Sequence, residues 1–538
     1  MRVLVLGLDG ADPELVDRLL AEGALPTLAG LAQRGAFGRL RSTIPAVTPT
    51  AWSSFLTGLN PGAHGIFNFS SNPNRSLSRV ESAASRSGAP VWRALGEAGI
   101  RSAFVTVPFT YPGEEIAGVL VTGYGGPSEP QITPAAARDR IRAAHPRLVT
   151  AHHPMKERWW EDFERFAGLL VEHVDEIGDV CRMAMEMEPD LGLLAVDFMS
   201  TDFAGHLGYA RLEADHPAHG QAGSGDELVQ VYRAVDRVCG ELVERARELY
   251  GEEPTAIIMS DHGMKPIHWT FHANTWLEQH GHLRYRRRSL QELRRTRLDL
   301  LARVDSKLAR TSGWYAPLLD RVPGLPAPVA DRAFADIDFG RTRAYCFATG
   351  GQIFLGEVTG ARTDAAYRER LAGELAEIPH PATGEPLFEV LRGSDLYHGE
   401  HAGKAPELVI IPRDERVHVE SSRRAWPQAF ERHERLDPES FYGYSGHHGV
   451  DGILAAAGPG IRVGGTPDGS SIVQLAATIL RLHGLSTDGI EPPIDGILEA
   501  ADELRSVAPA AAAASESGVY SDDEEARILE RLRDLGYE

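Results

Sequence analysis

Cysteine is scarce in this chain. Its 538 residues hold three, Cys181, Cys239 and Cys346, far apart and with no CxxC pair. That excludes a disulfide framework or a cysteine-based zinc site as the organising principle, and it agrees with a reducing compartment. Long apolar runs are absent too. Val3–Leu8 is too short for a signal-peptide core and meets Asp9 at once. No run approaches the ~20 apolar residues of a membrane helix. A cytoplasmic location without a membrane span is expected. Positive charge is in deficit: 55 Lys and Arg stand against 76 Asp and Glu, a net charge of −21. A surface for nucleic-acid polymers needs the opposite sign. A small anionic substrate is still compatible, because a few bound metal ions reverse a local field.

What is present reads as a large α/β enzyme. Val3–Leu8 has the β-branched and Leu content of a buried strand, and a helix follows from Pro13 to Glu22 with Asp12 as N-cap. A second helix runs from Thr27 to Arg34 and stops at Gly35. Ser102–Val107, Leu191–Val196 and Ala256–Met259 are further short apolar strands, each preceded by a helical stretch. Such alternation implies a mostly parallel central sheet with helices on both faces. Residues 1–270 and 435–500 are expected to form this discontinuous core, with 271–434 an inserted cap. From Leu283 to Arg310 the cap is basic, which reads as a solvated helical face or as a wall for anions. Residues 501–538 are expected to hold a low-complexity linker and an amphipathic helix bearing Ile528, Leu529, Leu532 and Leu535.

Four segments carry chemistry, each after an apolar strand or in a glycine-rich loop, where open α/β sheets place ligands. LGLDGAD puts Asp9 at the end of the first strand, as a metal ligand or a helix cap. TIPAVTPTAWSSFLTGLNPGAHGIF offers hydroxyls at Thr48, Thr50, Ser53 and Ser54 before a helix, suited to phosphate chemistry or to N-capping. In AVDFMSTDFAGHLGY, Asp202 and His206 are four apart and share one helical face, as metal ligands or a surface pair. In IIMSDHGM, Asp261 and His262 follow a strand directly, facing a cleft or forming a polar turn, and GHHGVDG adds His447 and His448. Carboxylates mixed with imidazoles suit zinc or manganese better than calcium or magnesium.

In order and wording these motifs resemble the alkaline phosphatase superfamily, and within it the type I phosphodiesterase/nucleotide pyrophosphatase family. The resemblance rests on LDG, GALPTLAGLAQRGAF, TPTAWSSFLTGLNPGAHGI, DFAGH, SDHGM and GHHG, and runs to about residue 461. It implies an alkaline phosphatase-like fold and two divalent metal ions, zinc first and manganese second. One metal would be held by Asp9, Asp261, His262 and the nucleophile Thr48; the other by Asp202, His206 and His448. Thr48 is chosen because it lies nine residues before Thr57 of the LTG element, with Thr50 as runner-up; His448 is chosen over His447 because a glycine follows it. His64 of HGI is structural in this reading. The family's phosphoryl-binding Asn falls at Phe69, leaving Asn68, one residue early, and Lys265 as candidate substrate contacts. No CxPxR motif of the related sulfatases occurs. The implied activity is hydrolysis of a small phosphodiester or pyrophosphate through a covalent phosphothreonine. A phosphomonoesterase or phosphomutase on the same core is the alternative, and a catalytically silent scaffold is the rival of another class.

Overall fold

The computed structural model describes residues 1–71, 79–152, 162–220, 225–286, 337–421, 428–436, 444–500 and 504–505. The basic residues from Arg287 to Arg310, the linker and the C-terminal helix of the sequence reading lie outside them.

An eight-stranded sheet forms the centre. Its order is Ala36–Arg41, Asp451–Ala457, Thr255–Met259, Val3–Leu8, Leu191–Phe198, Arg101–Val105, Gly118–Val121, Ile132–Thr133. The five strands from Thr255–Met259 to Gly118–Val121 run parallel, and the outer joins are antiparallel. Every residue of Val3–Leu8 and of Leu191–Phe198 is buried. The period of two explains why both faces are apolar. Leu4, Leu6 and Leu8 enter one core with Phe166, Leu170 and Val235, while Val3 and Val5 enter the opposite core with Trp52, Phe55 and Ile479. The long helices Phe163–Met187 and Asp226–Tyr250 thus cover one face. Helices Thr48–Thr57 and Leu475–Leu482 cover the other. Each fully buried Leu, Val or Phe contributes about 2 kcal/mol, so these two cores dominate the stability.

The local signals hold. Helix Pro13–Ala21 starts where Asp12 Oδ1 accepts the Glu14 N–H at 3.0 Å, with proline in the first turn. The three cysteines are buried and unpaired. Among the described residues no helix is long and apolar enough to cross a membrane.

Within 271–434, strands Ala344–Cys346, Gln352–Leu355, Leu408–Pro412 and Phe388–Arg392 make an antiparallel sheet in that order. It has its own core of Phe271, Tyr345, Ile353, Leu371 and Leu408. This segment is tied to the short helix Pro61–His64 that follows Thr48–Thr57: the His401 N–H reaches Gly62 O at 2.7 Å, and Asn60 Nδ2, at its N-cap, donates to Leu396 O at 2.9 Å.

Candidate metal centre

Strand register brings the first carboxylates together. Gly7 pairs with Met259 in the parallel sheet, and two residues beyond each stand Asp9 and Asp261, at the same edge. Gly7 also pairs with Asp197 on the other side. Helix Ser200–Leu212 starts just past that strand and turns Asp202 and His206 inward on one face. Gly10 makes this approach feasible: at φ +63° it turns the chain, and a Cβ there would lie 2.8 Å from Asp202 Oδ1. His448 arrives from a distant hairpin, Gly446–Gly449 paired with Gly263–Pro266, where it stands opposite Met264.

Two clusters result, Asp9–Asp261–His262 and Asp202–His206–His448, each with ligand atoms within 4.8 Å of one another. They adjoin, since the rings of His262 and His448 stack with centroids 3.8 Å apart. All three imidazoles are held alike. His262 Nδ1 lies 3.0 Å from Gly263 O, His206 Nδ1 2.9 Å from Gly446 O, and His448 Nδ1 3.1 Å from Ala46 O. A carbonyl only accepts, so each Nδ1 carries the proton and each Nε2 turns a lone pair into the site.

That arrangement fits cations. In the neutral tautomers, Nε2 of His206 and His448 face each other at 3.2 Å with no proton between them. Asp9 has one oxygen held by Trp52 Nε1 at 3.0 Å, and Asp261 has one held by the Gly10 N–H at 3.2 Å. Asp9 Oδ1 and Asp261 Oδ2, both buried, accept no hydrogen bond. They lie 3.5 and 3.4 Å from His262 Nε2. Burial, reinforced by Asp261, pushes the Asp9 carboxyl well above its ordinary value. Burial pushes Asp261 up to about 7, with Asp202 adding to it. Burial likewise lowers His262 to about 4, and with His262 beside it lowers His448 to about 4. Asp202 differs. Burial acts to raise it, but His206 and His448 outweigh burial and hold it below the carboxylate range. His206 is raised: burial opposes this and Asp202 prevails. The donor set of three carboxylates and three imidazoles suits zinc or manganese.

Thr48 is the first residue of its helix, with Val47 rather than a threonine at the N-cap. Its Oγ1 is 3.3 Å from His262 Nε2, at the first cluster. Thr50 is fully buried, and its Oγ1 makes no hydrogen bond. Asn68 is buried; its Oδ1 accepts the Phe69 N–H at 2.8 Å and its Nδ2 has no hydrogen-bond partner. Phe69 packs edge-on against Phe109 and Tyr124 in the core. Lys265 is placed elsewhere: its ammonium meets Glu14 and lies 3.3 Å from Glu415 and 3.5 Å from Asp12. These line a mixed-charge cleft of about 710 Å³ that holds none of the six cluster residues. His447 Nε2 bonds Glu415 O at 2.7 Å. His64 is a clasp: Nδ1 accepts the Ile66 N–H, and Nε2 is 2.9 Å from Ser54 Oγ.

Two contributors escape a motif reading. Trp52, 1% exposed, steers Asp9. Asp197 has both carboxyl oxygens buried without hydrogen bonds and adds to the charge that raises Asp9. Its signal was available: an Asp inside the apolar run LLAVDFM.

The sequence model of the family described as Type I phosphodiesterase / nucleotide pyrophosphatase matches residues 3–451. The chain belongs to that family, a metal-dependent hydrolase group of the alkaline phosphatase superfamily. Among solved structures it is similar to murine ectonucleotide pyrophosphatase/phosphodiesterase 5 in an inactive form with AMP. Identity is 14%, TM-score 0.50, covering 92% of this chain and 100% of that one. A second structure of the murine protein matches at 15% and 0.48, and the human one at 14% and 0.48, with the same coverage. At such identity the first likeness speaks for the fold. A search of curated proteins finds no match.

Proposed function

We propose that this phosphoester hydrolase is a two-metal phosphodiesterase with Thr48 as nucleophile. The observation that carries the reading is Thr48 Oγ1 at 3.3 Å from His262 Nε2, at the edge of two adjoining ligand clusters. Asp9, Asp261, His262 and Thr48 would hold one ion, and Asp202, His206 and His448 the other. When bound, the ions, zinc by the donor set, supply a lowered hydroxyl pKa and a counter-charge for the phosphoryl oxygens.

The chain's own residues do the rest. The first turn of its helix fixes the Thr48 hydroxyl, so it meets phosphorus without a search. The Thr48 oxygen forms its bond to phosphorus as the ester P–O bond breaks and the alcohol departs. A water then attacks phosphorus, the Thr48 O–P bond breaks, and the threonine is restored. Asn68, its Oδ1 fixed by Phe69 N–H, offers Nδ2 to a phosphoryl oxygen. Segment 271–434 acts as the cap over the cleft. That the AMP-bound murine relative is an inactive threonine-to-alanine variant accords with a threonine nucleophile.

The test compares bis(p-nitrophenyl) phosphate with p-nitrophenyl phosphate on zinc-loaded protein, with acid quench and mass spectrometry for phosphate on Thr48. Diester preference with phospho-Thr48 is expected. Monoester preference would move the protein to the phosphatase or mutase alternative. Turnover without any phospho-Thr48, under conditions that trap it, would remove the covalent step.

A further inference from the structure

We infer that the organic group on the Asp202–His206–His448 side of the cleft is apolar and uncharged, a short alkyl or aryl group rather than a second phosphate. This rests on the phosphodiester reading above and narrows it to a substrate class.

A cleft of about 100 Å³ opens beside the second cluster, with His206 and His448 in its wall. Its opposite wall comes from Leu408–Pro412 and Val417–Glu420, which present Val409, Ile410, Ile411, Val417 and Val419. Its third side is the loop that ends at Val47, the residue before the nucleophile. The cleft therefore adjoins the second cluster and the residue before Thr48. Among its described lining residues there is no Lys, Arg, Asp or Glu. The described cationic side chains of this region, Lys265, Arg413 and Arg416, line the separate larger cleft.

Chemistry decides the occupant. His418, His447, Thr349 and Tyr444 also line the cleft, but a phosphate moved there loses its hydration and meets no Lys or Arg to replace it, which is costly. A methylene moved there gains about fourfold in affinity. Size agrees: a dry aliphatic cavity of about 150 Å³ takes benzene, so this one suits a short chain or the edge of a ring.

The experiment is calorimetric binding of n-alkyl phosphates, methyl through heptyl, to the zinc-loaded full chain, with 3-carboxypropyl phosphate as the charged match to butyl phosphate. Affinity is expected to rise about fourfold per methylene to about butyl and then level. The carboxylate-tipped chain is expected to bind at least tenfold more weakly than butyl phosphate. Ile411→Asn, at a half-buried position packed against the small Tyr397, Ala405 and Val409 cluster, flattens the series, and Ile411→Leu restores it. A flat series in the parent protein, or equal binding of the carboxylate-tipped chain, overturns the inference. Turnover of bis(p-nitrophenyl) phosphate is read in parallel. Turnover with a flat series removes the apolar assignment alone, whereas a rising series without turnover supports it and counts against the hydrolase mechanism.

Discussion

The two ligand clusters are built differently. Asp9 and Asp261 come from neighbouring strand ends of one sheet, and His262 follows directly. Asp202 and His206 come from one helix, and His448 from a hairpin over 240 residues away in sequence. The first cluster sets two carboxylates against one imidazole, and both carboxyls are pushed up by burial and by like charge. The second sets one carboxylate against two imidazoles, and Asp202 Oδ2 lies 3.4 Å from His206 Nε2. The first cluster is thus rigid in position but short of positive charge. The second carries one carboxylate fewer but depends on tertiary assembly. Position and charge are independent requirements of a metal site, and here each cluster meets a different one unaided.

Several variants break or sharpen that contrast. Thr48→Ala should lower turnover about 10⁴-fold or more while retaining close to two metals, read by steady-state rates and metal content. Full activity would end its role as nucleophile. Asp261→Asn should cost about 10³-fold in turnover and empty the first cluster only, whereas His448→Gln should cost about 10²-fold and loosen the second. Equal loss of both metals in either variant would mean the clusters act as one. Zinc affinity should rise with pH, more steeply at the first cluster. Below about pH 7 Asp261 binds a proton in the metal-free protein, and zinc must displace it. Affinity then rises about tenfold per pH unit for each proton released and flattens above that pH. Asp9, raised by burial and by Asp261, steepens the rise at the first cluster, whereas at the second cluster Asp202 is held low. Titrations on His448→Gln and Asp261→Asn isolate the two slopes, and equal slopes would contradict the charge contrast. Lys265→Met should change turnover less than threefold yet lower stability by about 1–2 kcal/mol, because Asp12 is left buried beside Glu14. A large fall in turnover with an unchanged melting temperature would make it a substrate contact.

The sequence made the fold legible where a period or a cap is local. Val3–Leu8 is a strand at the expected bounds, and Asp12 caps its helix. The Asp202–His206 spacing carried its meaning because one helical turn is a fixed distance. Direction was harder to read. Nothing local shows that Phe69 turns into an aromatic core while Asn68 Nδ2 meets no protein acceptor. Nor does SDHGMK reveal that Lys265 turns to Glu14, since that partner lies 251 residues earlier. Trp52 was illegible for the same reason, since it meets Asp9, 43 residues away, only through the fold, whereas Asp197 stood out as an Asp in an apolar strand.

The three histidines take their orientation from main-chain carbonyls, at Ala46, Gly263 and Gly446. A carbonyl has no codon of its own. Point mutation can delete a carboxylate that steers an imidazole, but it cannot delete a peptide group. Sequence drift can therefore reach these rings only by moving the chain's path or by replacing the rings themselves. Ala46 lies two residues before Thr48, so a shift of that one loop would misalign the nucleophile and His448 together.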